Sequence, residues 1–295
     1  MDKKIELKPN PRAAAEGREA FTLTELLATV AACGILLLLL VPAWADPRAG
    51  TKSFQCLNNM RQLAVAWTLY SSDNHDQLAF NMDSRNNPQS PVYLYNGDPA
   101  WVTGVIDWTS QSYNTNTIEI ISDKYSLLGS YLGRSTSVFA CPATATFLSP
   151  AQRAAGFPQR CRSVSMNAAV GGGPKYAVFD FGWNQSSWYV AKKSTDFHSP
   201  APGNVWVFMD EHPDCIDDGL MYTANYPVSE LIELPGCQHE GACGITFADS
   251  HVDMQQWTGP VVLAHRQVTF TTAQQIPCSI TDPDMFYLAQ HTPQN

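Results

Sequence analysis

An acidic stretch between residues 210 and 219 is the part of the chain whose side chains could most directly bind a metal ion. It places five carboxylates within nine residues, and Pro213 and Gly219 shape its turns. Calcium takes about six to eight oxygen ligands, which a turn dense in aspartate could supply. Because the spacing is not that of an EF-hand, a solvated loop whose aspartates cap turns stays open as the alternative. The predicted calcium ligands are Asp210, Glu211, Asp214, Asp217 and Asp218.

Two histidines flank an aspartate further along the chain. Nine residues separate His239 from Asp249, and His251 follows Asp249 by two positions. Across a hairpin, His239 and Asp249 could meet and pair. Asp249 and His251 would share one face of a strand, so they could also join the acidic stretch in a metal site. A purely structural contact between His239 and Asp249 is the other interpretation.

The cysteines could form disulfides in an exported protein. Of the eight, Cys33 lies in an apolar segment and should stay a free thiol, while the other seven are spread over residues 56–278. In an oxidising compartment we expect up to about three disulfides and one unpaired cysteine, although scattered buried thiols remain the alternative. No pair has the C-x₂-C spacing of a zinc site. The candidate disulfides are Cys56 with Cys141 and Cys237 with Cys243.

No arrangement typical of a catalytic site is found in the sequence. It contains neither a Gly-x-Ser-x-Gly elbow nor a His-Glu-x-x-His motif, and no cysteine has a distinctive local context for a nucleophile. The net charge of −9, without a dense basic cluster, argues against nucleic-acid binding. We therefore expect a chain that is not an enzyme and that has no nucleic-acid partner. Calcium is the only cofactor that the composition suggests.

Regular elements must position these residues, and the clearest is a helix over residues 51–72. Apolar side chains recur there every three or four positions, which is typical of a helix with one buried face. A buried strand is predicted over residues 205–210, and strands over 244–247 and 251–257 should form a hairpin. Weaker patterns predict strands over residues 100–108, 138–141 and 162–167 and a helix over residues 118–132.

The N-terminal part of the chain carries a long apolar run. From residue 26 to residue 45 the only polar side chain is Thr29. A helix over residues 21–45 would be roughly 37 Å long, enough to cross a hydrocarbon core of about 30 Å. One charge, Glu25, lies near its start, and an ionised carboxylate there costs about 2.5–3.5 kcal/mol. Such a residue needs a partner.

Residues 20–26, Ala-Phe-Thr-Leu-Thr-Glu-Leu, resemble the N-terminal segment of type IV prepilins and type II secretion pseudopilins. That family has a small residue, then Phe-Thr-Leu-x-Glu-Leu, then an apolar run. The resemblance implies that a prepilin peptidase cleaves between Ala20 and Phe21 and methylates the new Phe21 amine. Glu25 then becomes the fifth residue, and Gly34 and Pro42 match positions where many members carry glycine and proline. The departure is Ala20, where the family usually has glycine.

The resemblance also implies partners, a location and a fold. Glu25 would pair with the first amine of a neighbouring subunit, and an unpaired member of such a buried pair would be costly. The partners would be the prepilin peptidase, other pilin or pseudopilin subunits, the membrane and the inner-membrane assembly platform. The chain would cross the bacterial inner membrane once, with a cytoplasmic N-terminus and a C-terminal domain in the periplasm or an extracellular filament. The implied fold is α+β, with a long N-terminal transmembrane helix whose outer half packs on an antiparallel β-sheet.

A second resemblance extends further along the chain. Residues 56–63, Cys-Leu-Asn-Asn-Met-Arg-Gln-Leu, are similar to a segment of exported prepilin-like proteins of planctomycete- and verrucomicrobium-type bacteria. The C-terminal His-x₉-Asp-Gly motif of those proteins matches His239 and Asp249, with Ser250 in place of glycine. The implied organisation is a leader (1–20), a transmembrane assembly helix (21–46), an amphipathic outer helix (47–74) and an exported α+β domain (75–295).

The function expected from these resemblances is a structural subunit, of minor abundance, in a type II secretion pseudopilus or a type IV pilus-like filament. Two alternatives stay open. One is a membrane-tethered exported enzyme or carbohydrate-binding protein that uses the same processing route without polymerising. The other is an ordinary signal-anchored protein, which would not be cleaved.

Overall fold

The computed structural model describes residues 22–32, 51–81, 99–144, 146–172, 190–222 and 230–293. The chain divides into two compact units, Met1–Ala49 and Gly50–Asn295. In the first unit the described part is a helix, α1, over residues 23–32. The predicted leader and the predicted roles of Ala20, Phe21, Gly34 and Pro42 lie outside the described residues.

The predicted fold, with a long transmembrane helix laid on an antiparallel sheet, is wrong. Among the described residues, no helix combines the length and the hydropathy needed to cross a bilayer. The longest one, α2 (Lys52–Asp73), has apolar side chains at every third or fourth position and polar side chains between them. It therefore has one buried face rather than an apolar surface all round. The second unit is α+β and is built around a five-stranded sheet.

Helix α2 forms where the apolar periodicity predicts it. Thr51 caps its start, because the side chain of Thr51 accepts a hydrogen bond from the backbone N–H of Phe54 at 3.2 Å. Its buried side chains recur at intervals of three and four, which places them on one face. That face packs on three strands of the sheet, β2 (Trp206–Asp210), β5 (Ala242–Phe247) and β6 (Val252–Gln256). The buried residues are Cys56, Met60, Leu63, Ala64, Ala66, Trp67 and Ser71.

The main sheet is mixed, with strand order β3-β1-β2-β5-β6. Its strands are β1 (Val164–Asn167), β2 (Trp206–Asp210), β3 (Leu220–Met221), β5 (Ala242–Phe247) and β6 (Val252–Gln256), while β4 (Glu230–Leu231) pairs separately with β7 (Ile276–Pro277). Three of the neighbouring pairs are antiparallel, but β3 runs parallel to β1. After β2, residues 211–219 carry the chain past β1 to the far side of that strand, where β3 pairs with it. Strand β3 therefore runs opposite to β2 and parallel to β1. The prediction of an antiparallel sheet is wrong for that reason.

Strand β2 is buried along its whole length because both faces of the sheet are covered. Val207 and Phe208 share a core with the apolar stripe of α2. Trp206 and Met209, between which the pairing of β2 with its neighbour shifts register, share a second core with the short helices α5 (Pro260–Ala264) and α6 (Pro283–Gln290).

Three weak patterns form structures other than those predicted. Residues 100–108 form no strand and contribute one isolated bridge, from Ala100 to Ser126. The helix expected over residues 118–132 is a single turn, α3 (Ile118–Ile121), because Ser122 takes an extended conformation. The chain then folds back, and Gly129 lies so close to the Ile121 carbonyl that a Cβ there would meet it at 2.3 Å. The strand predicted over residues 138–141 is replaced by a 3₁₀ turn, Thr136–Phe139, which covers its first two residues. A capped helix, α4 (Pro150–Ala154), follows later in the chain.

A buried carboxylate makes the stability of this fold depend on pH. Glu119 of α3 is 3% exposed, and its Oε1 accepts a hydrogen bond from Asn116 Nδ2 at 2.6 Å. Gly104, at φ +89°, leaves the space for the carboxylate, since a Cβ there would lie 1.9 Å from Glu119 Oε2. Burial raises the pKa of Glu119 from 4.5 to about 7, against the smaller effects of Asn116 and Arg162.

We predict that Glu119→Gln removes part of this pH dependence. Because the pKa of Glu119 is higher in the folded than in the unfolded chain, its contribution to stability is full below about pH 4.5 and is lost as the pH rises through about 7. The amide stays neutral, so the variant should gain on the order of 1–3 kcal/mol relative to the wild-type chain between about pH 5 and pH 8. Urea unfolding at several pH values measures this difference. A difference in unfolding free energy that is constant with pH would contradict the prediction.

Candidate functional site

Four potential metal ligands meet where α2 crosses the sheet. Cys56 lies in the second turn of α2, Cys141 follows the 3₁₀ turn, Asp210 ends β2 and His239 precedes β5. One ligand atom from each side chain lies within 4.8 Å of the ligand atoms of the other three. We call these residues the α2–β2 cluster. In the part of the chain that the structure describes, no other group of three or more His, Cys, Asp or Glu residues meets this distance.

Two glycines make room for the cluster. Gly244 of β5 lies under α2, where a Cβ would come within 2.9 Å of Cys56 Sγ. Gly236 lies against the end of β2, where a Cβ would be 3.0 Å from the carbonyl oxygen of Asp210. Both contacts are shorter than ordinary van der Waals distances, so a side chain at either position would displace a cluster residue.

The four side chains contact one another in pairs. Cys56 Sγ donates a hydrogen bond to Asp210 Oδ2 at 2.8 Å, and Cys141 Sγ lies 3.0 Å from His239 Nε2. The two sulfur atoms also lie close together, and each is the largest influence on the pKa of the other thiol. Cys56 and Cys141 are free thiols in the structure. The disulfide between them stays a prediction, and their proximity agrees with the expectation that α2 meets the sheet there.

A second set of hydrogen bonds fixes the orientation of the cluster. The Ser163 hydroxyl donates to Asp210 Oδ1 at 2.9 Å and accepts the Cys141 backbone N–H at 2.7 Å. The Ser53 hydroxyl lies 3.1 Å from His239 Nδ1, on the side of the ring away from Cys141. The carboxylate and the imidazole are thus each held from outside the cluster by a serine.

Burial governs the electrostatics of the cluster. Cys56, Cys141 and Asp210 are at most 2% exposed, and His239 is 9% exposed. Burial raises the pKa of Asp210 well above its ordinary value, and the nearby Cys141 sulfur adds to this rise. The neighbouring Cys56 thiol lowers the pKa of Cys141, and His239 lowers it further, against the opposing effect of burial. Cys141 in turn raises the pKa of Cys56, and burial raises it further. The pair therefore favours a thiolate on Cys141 and a proton on Cys56.

Two kinds of chemistry use residues of these types. A cysteine beside a histidine resembles an activated nucleophile, but a nucleophile must reach its substrate. The sulfur of Cys141 lies beneath α2, and this residue is only 2% exposed, which makes attack on an external substrate implausible. Two thiols, an imidazole and a carboxylate are also the ligands that bind zinc, and a structural zinc site is normally closed to solvent.

The five carboxylates predicted to bind calcium are directed to different partners. Asp210 belongs to the α2–β2 cluster. Asp214 accepts hydrogen bonds from Thr269 and Phe270, Asp217 accepts from Gln274, and Asp218 accepts from the Leu220 N–H. Burial raises the pKa of Glu211 well above its ordinary value. The five do not come together as one ligand set, because the chain crosses from β2 to the edge of the sheet along this stretch.

The predicted pairing of His239 with Asp249 is absent from the structure. The hairpin itself is confirmed, since β5 and β6 flank residues 248–251 and Ser250 takes the left-handed conformation at φ +73°. His239 precedes β5 and Asp249 follows it, so the six-residue strand holds them about 20 Å apart. Asp249 instead accepts a hydrogen bond from His251 Nδ1 at 2.5 Å on the exposed turn. The two other cysteines predicted to pair, Cys237 and Cys243, are buried free thiols.

Glu25 has a hydrogen-bond partner in its own segment that the sequence analysis does not predict. Its Oε2 accepts hydrogen bonds from the backbone N–H and the hydroxyl of Thr22, at 2.9 and 2.8 Å. The Glu25 N–H points back to the Thr22 hydroxyl at 3.3 Å. This reciprocal arrangement is a capping box at the start of α1. The signal was the Thr-x-x-Glu spacing that directly precedes the apolar run.

The sequence does not predict the α2–β2 cluster, although each of its members is a candidate site residue. It predicts a disulfide between Cys56 and Cys141, a calcium ligand at Asp210 and a pairing of His239 with Asp249. No short motif joins the four, because each comes from a different segment of the chain.

Comparison with known proteins gives no family assignment. The chain matches no family model, no curated protein and no solved structure. Its function therefore has to be inferred from its own residues and geometry.

We predict that Ser163→Ala destabilises the chain because it removes the bridge between Cys141 and Asp210. Leaving a buried donor and a buried acceptor without their partner costs about 1–3 kcal/mol. Ser137→Ala is the matched control, since Ser137 is exposed and its hydroxyl contacts only Ser135 among the described residues; it should change stability by no more than about 0.5 kcal/mol. Urea unfolding followed by tryptophan fluorescence measures both. Equal effects would show that the bridge contributes nothing.

Proposed function

We propose that this chain is a pilin-like structural subunit of a type II secretion pseudopilus or a type IV pilus-like filament. A prepilin peptidase cleaves it between Ala20 and Phe21, and its apolar N-terminal segment places it at the bacterial inner membrane before assembly. The observation that carries this proposal is the sequence of residues 20–26, with Glu25 as the fifth residue after the cleavage site and an apolar run to residue 45.

The exposed surface of α1 supports an assembly role. Four large apolar side chains on this helix are more than half exposed, and their spacing of three and four residues places them on one face, as an exposed apolar stripe. Apolar surface of this kind is stable when lipid or another apolar helix covers it. The side chains are Leu23, Leu26, Leu27 and Val30.

The capping box is compatible with a second partner for Glu25. Both hydrogen bonds from Thr22 go to Oε2, so Oε1 can accept a donor from outside the chain. A free amine at Phe21 of a neighbouring subunit is such a donor. The capping box would then hold the carboxylate at the start of α1, where the amine of the next subunit approaches, and the pair would set the register between subunits.

The second unit supports a structural rather than a catalytic role. The seven described cysteines, its most nucleophilic side chains, are all buried. We propose that the large domain makes contact with cargo or with other subunits, that the subunit is a minor one, and that the chain catalyses no reaction.

Processing is the first prediction of this proposal. Mass spectrometry of the protein from native membranes should find a chain that begins at N-methylated Phe21. Ala20→Gly, which restores the residue usual in the family, should be cleaved at least as completely, and Ala20→Arg should block cleavage because a large charged side chain replaces the small one. A wild-type chain that retains Met1, or that begins beyond Ala45, would overturn the proposal.

The second prediction separates the charge of Glu25 from its capping role. Glu25→Gln keeps a capping side chain but removes the charge, while Thr22→Ala weakens the capping box but keeps the charge. We expect that Glu25→Gln is cleaved but enters filaments at least about tenfold less than the wild-type chain, the ratio that a loss of about 1.4 kcal/mol produces. Thr22→Ala should enter filaments normally once cleaved. Immunoblots of sheared filaments measure both variants, and normal assembly of Glu25→Gln would show that Glu25 serves the helix cap alone.

A further inference from the structure

We infer that Cys56, Cys141, Asp210 and His239 form a tetrahedral site for a divalent transition-metal ion, zinc first of all, which fastens helix α2 to the sheet. This inference is independent of the proposed filament role, because it concerns only the second unit. It accounts for four buried side chains that neither the fold nor the N-terminal segment requires.

The ligand types select the metal. Zinc is bound by cysteine sulfur, histidine nitrogen and aspartate oxygen, with four protein ligands in a structural site. Calcium and magnesium take oxygen ligands, so two sulfur atoms argue against them. The sulfur atoms of Cys56 and Cys141 therefore favour zinc over the calcium that the acidic stretch alone suggests.

The distances fit a tetrahedral ion. Bond lengths of about 2.3 Å to sulfur and about 2.0–2.1 Å to nitrogen or oxygen place neighbouring ligand atoms roughly 3.3–3.8 Å apart. All four ligand atoms of the cluster lie within 4.8 Å of one another, and the two closest pairs are at 2.8 and 3.0 Å. Each of those two pairs joins a sulfur to an oxygen or a nitrogen, so they need to separate by roughly 0.5–0.7 Å to admit the ion, by the same bond lengths.

The surrounding hydrogen bonds match those of a metal site. A histidine that binds a metal through one ring nitrogen usually has a hydrogen-bond partner at the other, and a bound carboxylate is hydrogen-bonded in turn. His239 directs Nε2 into the cluster while its Nδ1 contacts Ser53, and Asp210 directs Oδ2 inward while its Oδ1 accepts from Ser163. The Ala143 N–H also points to Cys141 Sγ at 3.4 Å.

The charge of the cluster favours a cation. Asp210 is buried, and within the described residues it forms no ion pair with a lysine or an arginine. Ionising a buried carboxylate without a cationic partner is costly. A divalent ion bound by Asp210 and by the two cysteines would offset that cost.

A disulfide between Cys56 and Cys141 is the competing outcome. It would form by loss of two electrons and two protons to an oxidant, and it would use only the two sulfur atoms. The metal site uses all four side chains and explains why a carboxylate and an imidazole are oriented toward the thiols. We therefore favour the metal.

The experiment measures metal content on the full chain, purified in detergent without chelators. Inductively coupled plasma mass spectrometry should find about one zinc per wild-type chain, in keeping with a single four-ligand site. Cys141→Ser and His239→Ala should each reduce the bound zinc at least about tenfold, because a structural zinc site needs all four ligands. Cys161→Ser is the matched control, since Cys161 is a buried free thiol outside the cluster, and it should retain the zinc.

A second measurement needs no variant, so it holds even if the substituted chains fail to fold. The wild-type chain is stripped of metal, reduced and loaded with Co²⁺, whose thiolate charge-transfer absorption reports sulfur ligands directly. We expect this absorption, together with protection of Cys56 and Cys141 from alkylation. A reduced, folded chain that takes up neither zinc nor cobalt would overturn the inference. A Cys56–Cys141 disulfide in peptides from native membranes would also overturn it, in favour of the covalent link.

Discussion

The packing of α2 across strands β2 and β5 is the interaction on which the second unit depends. β2 can be buried on both faces only because α2 covers one of them, while the chain after β6 covers the other. The interface is apolar along most of its length, from Met60 to Trp67, and Gly244 of β5 lets α2 approach the sheet closely. Its polar end is the α2–β2 cluster, which lies where the helix begins and β2 ends. The register of the helix on the sheet is therefore defined by apolar packing along the stripe and by directed polar contacts at one end.

Directed contacts of this kind contribute more to the unique placement of α2 on the sheet than to the free energy of unfolding. Apolar packing is non-directional, so by itself it places α2 on the sheet through shape alone. Cys56 cannot move away from Asp210, nor Cys141 from His239, without leaving buried polar groups unpaired, and each such group costs about 1–3 kcal/mol. The serines at positions 53 and 163 extend this constraint to the start of α2 and to the residues just before β1. Four segments that are distant in sequence are thereby held at one point.

The features that the sequence predicted well are those that depend on nearby residues. The stripe of α2 and the continuous apolar run of β2 are visible within a few turns or a few residues, and so is the β5–β6 hairpin with its Ala-Asp-Ser turn. The errors come from non-local effects. The apolar spacing over residues 118–132 is helical, but Leu128 reaches the core by a chain reversal after α3. The parallel pairing of β3 depends on where the chain crosses the sheet. The residues of the α2–β2 cluster were recognised as chemically competent, yet only the tertiary fold brings Cys56 and Cys141 to Asp210 and His239.

The proposed export of the chain and the proposed metal site both bear on the redox state of Cys56 and Cys141. If the second unit is exported, its thiols enter a compartment where disulfides form, and Cys56 and Cys141 lie close to each other. Thiol–disulfide exchange proceeds by attack of a free thiolate, so a sulfur bound to zinc reacts more slowly than an unbound one. The order of events then decides the outcome, since a chain that acquires the metal as it folds keeps both thiolates as ligands. A chain that meets an oxidant first closes the covalent link between the same two segments. Either bond would hold α2 to the sheet at the same place, but only the metal gives Asp210 and His239 a direct role in that attachment.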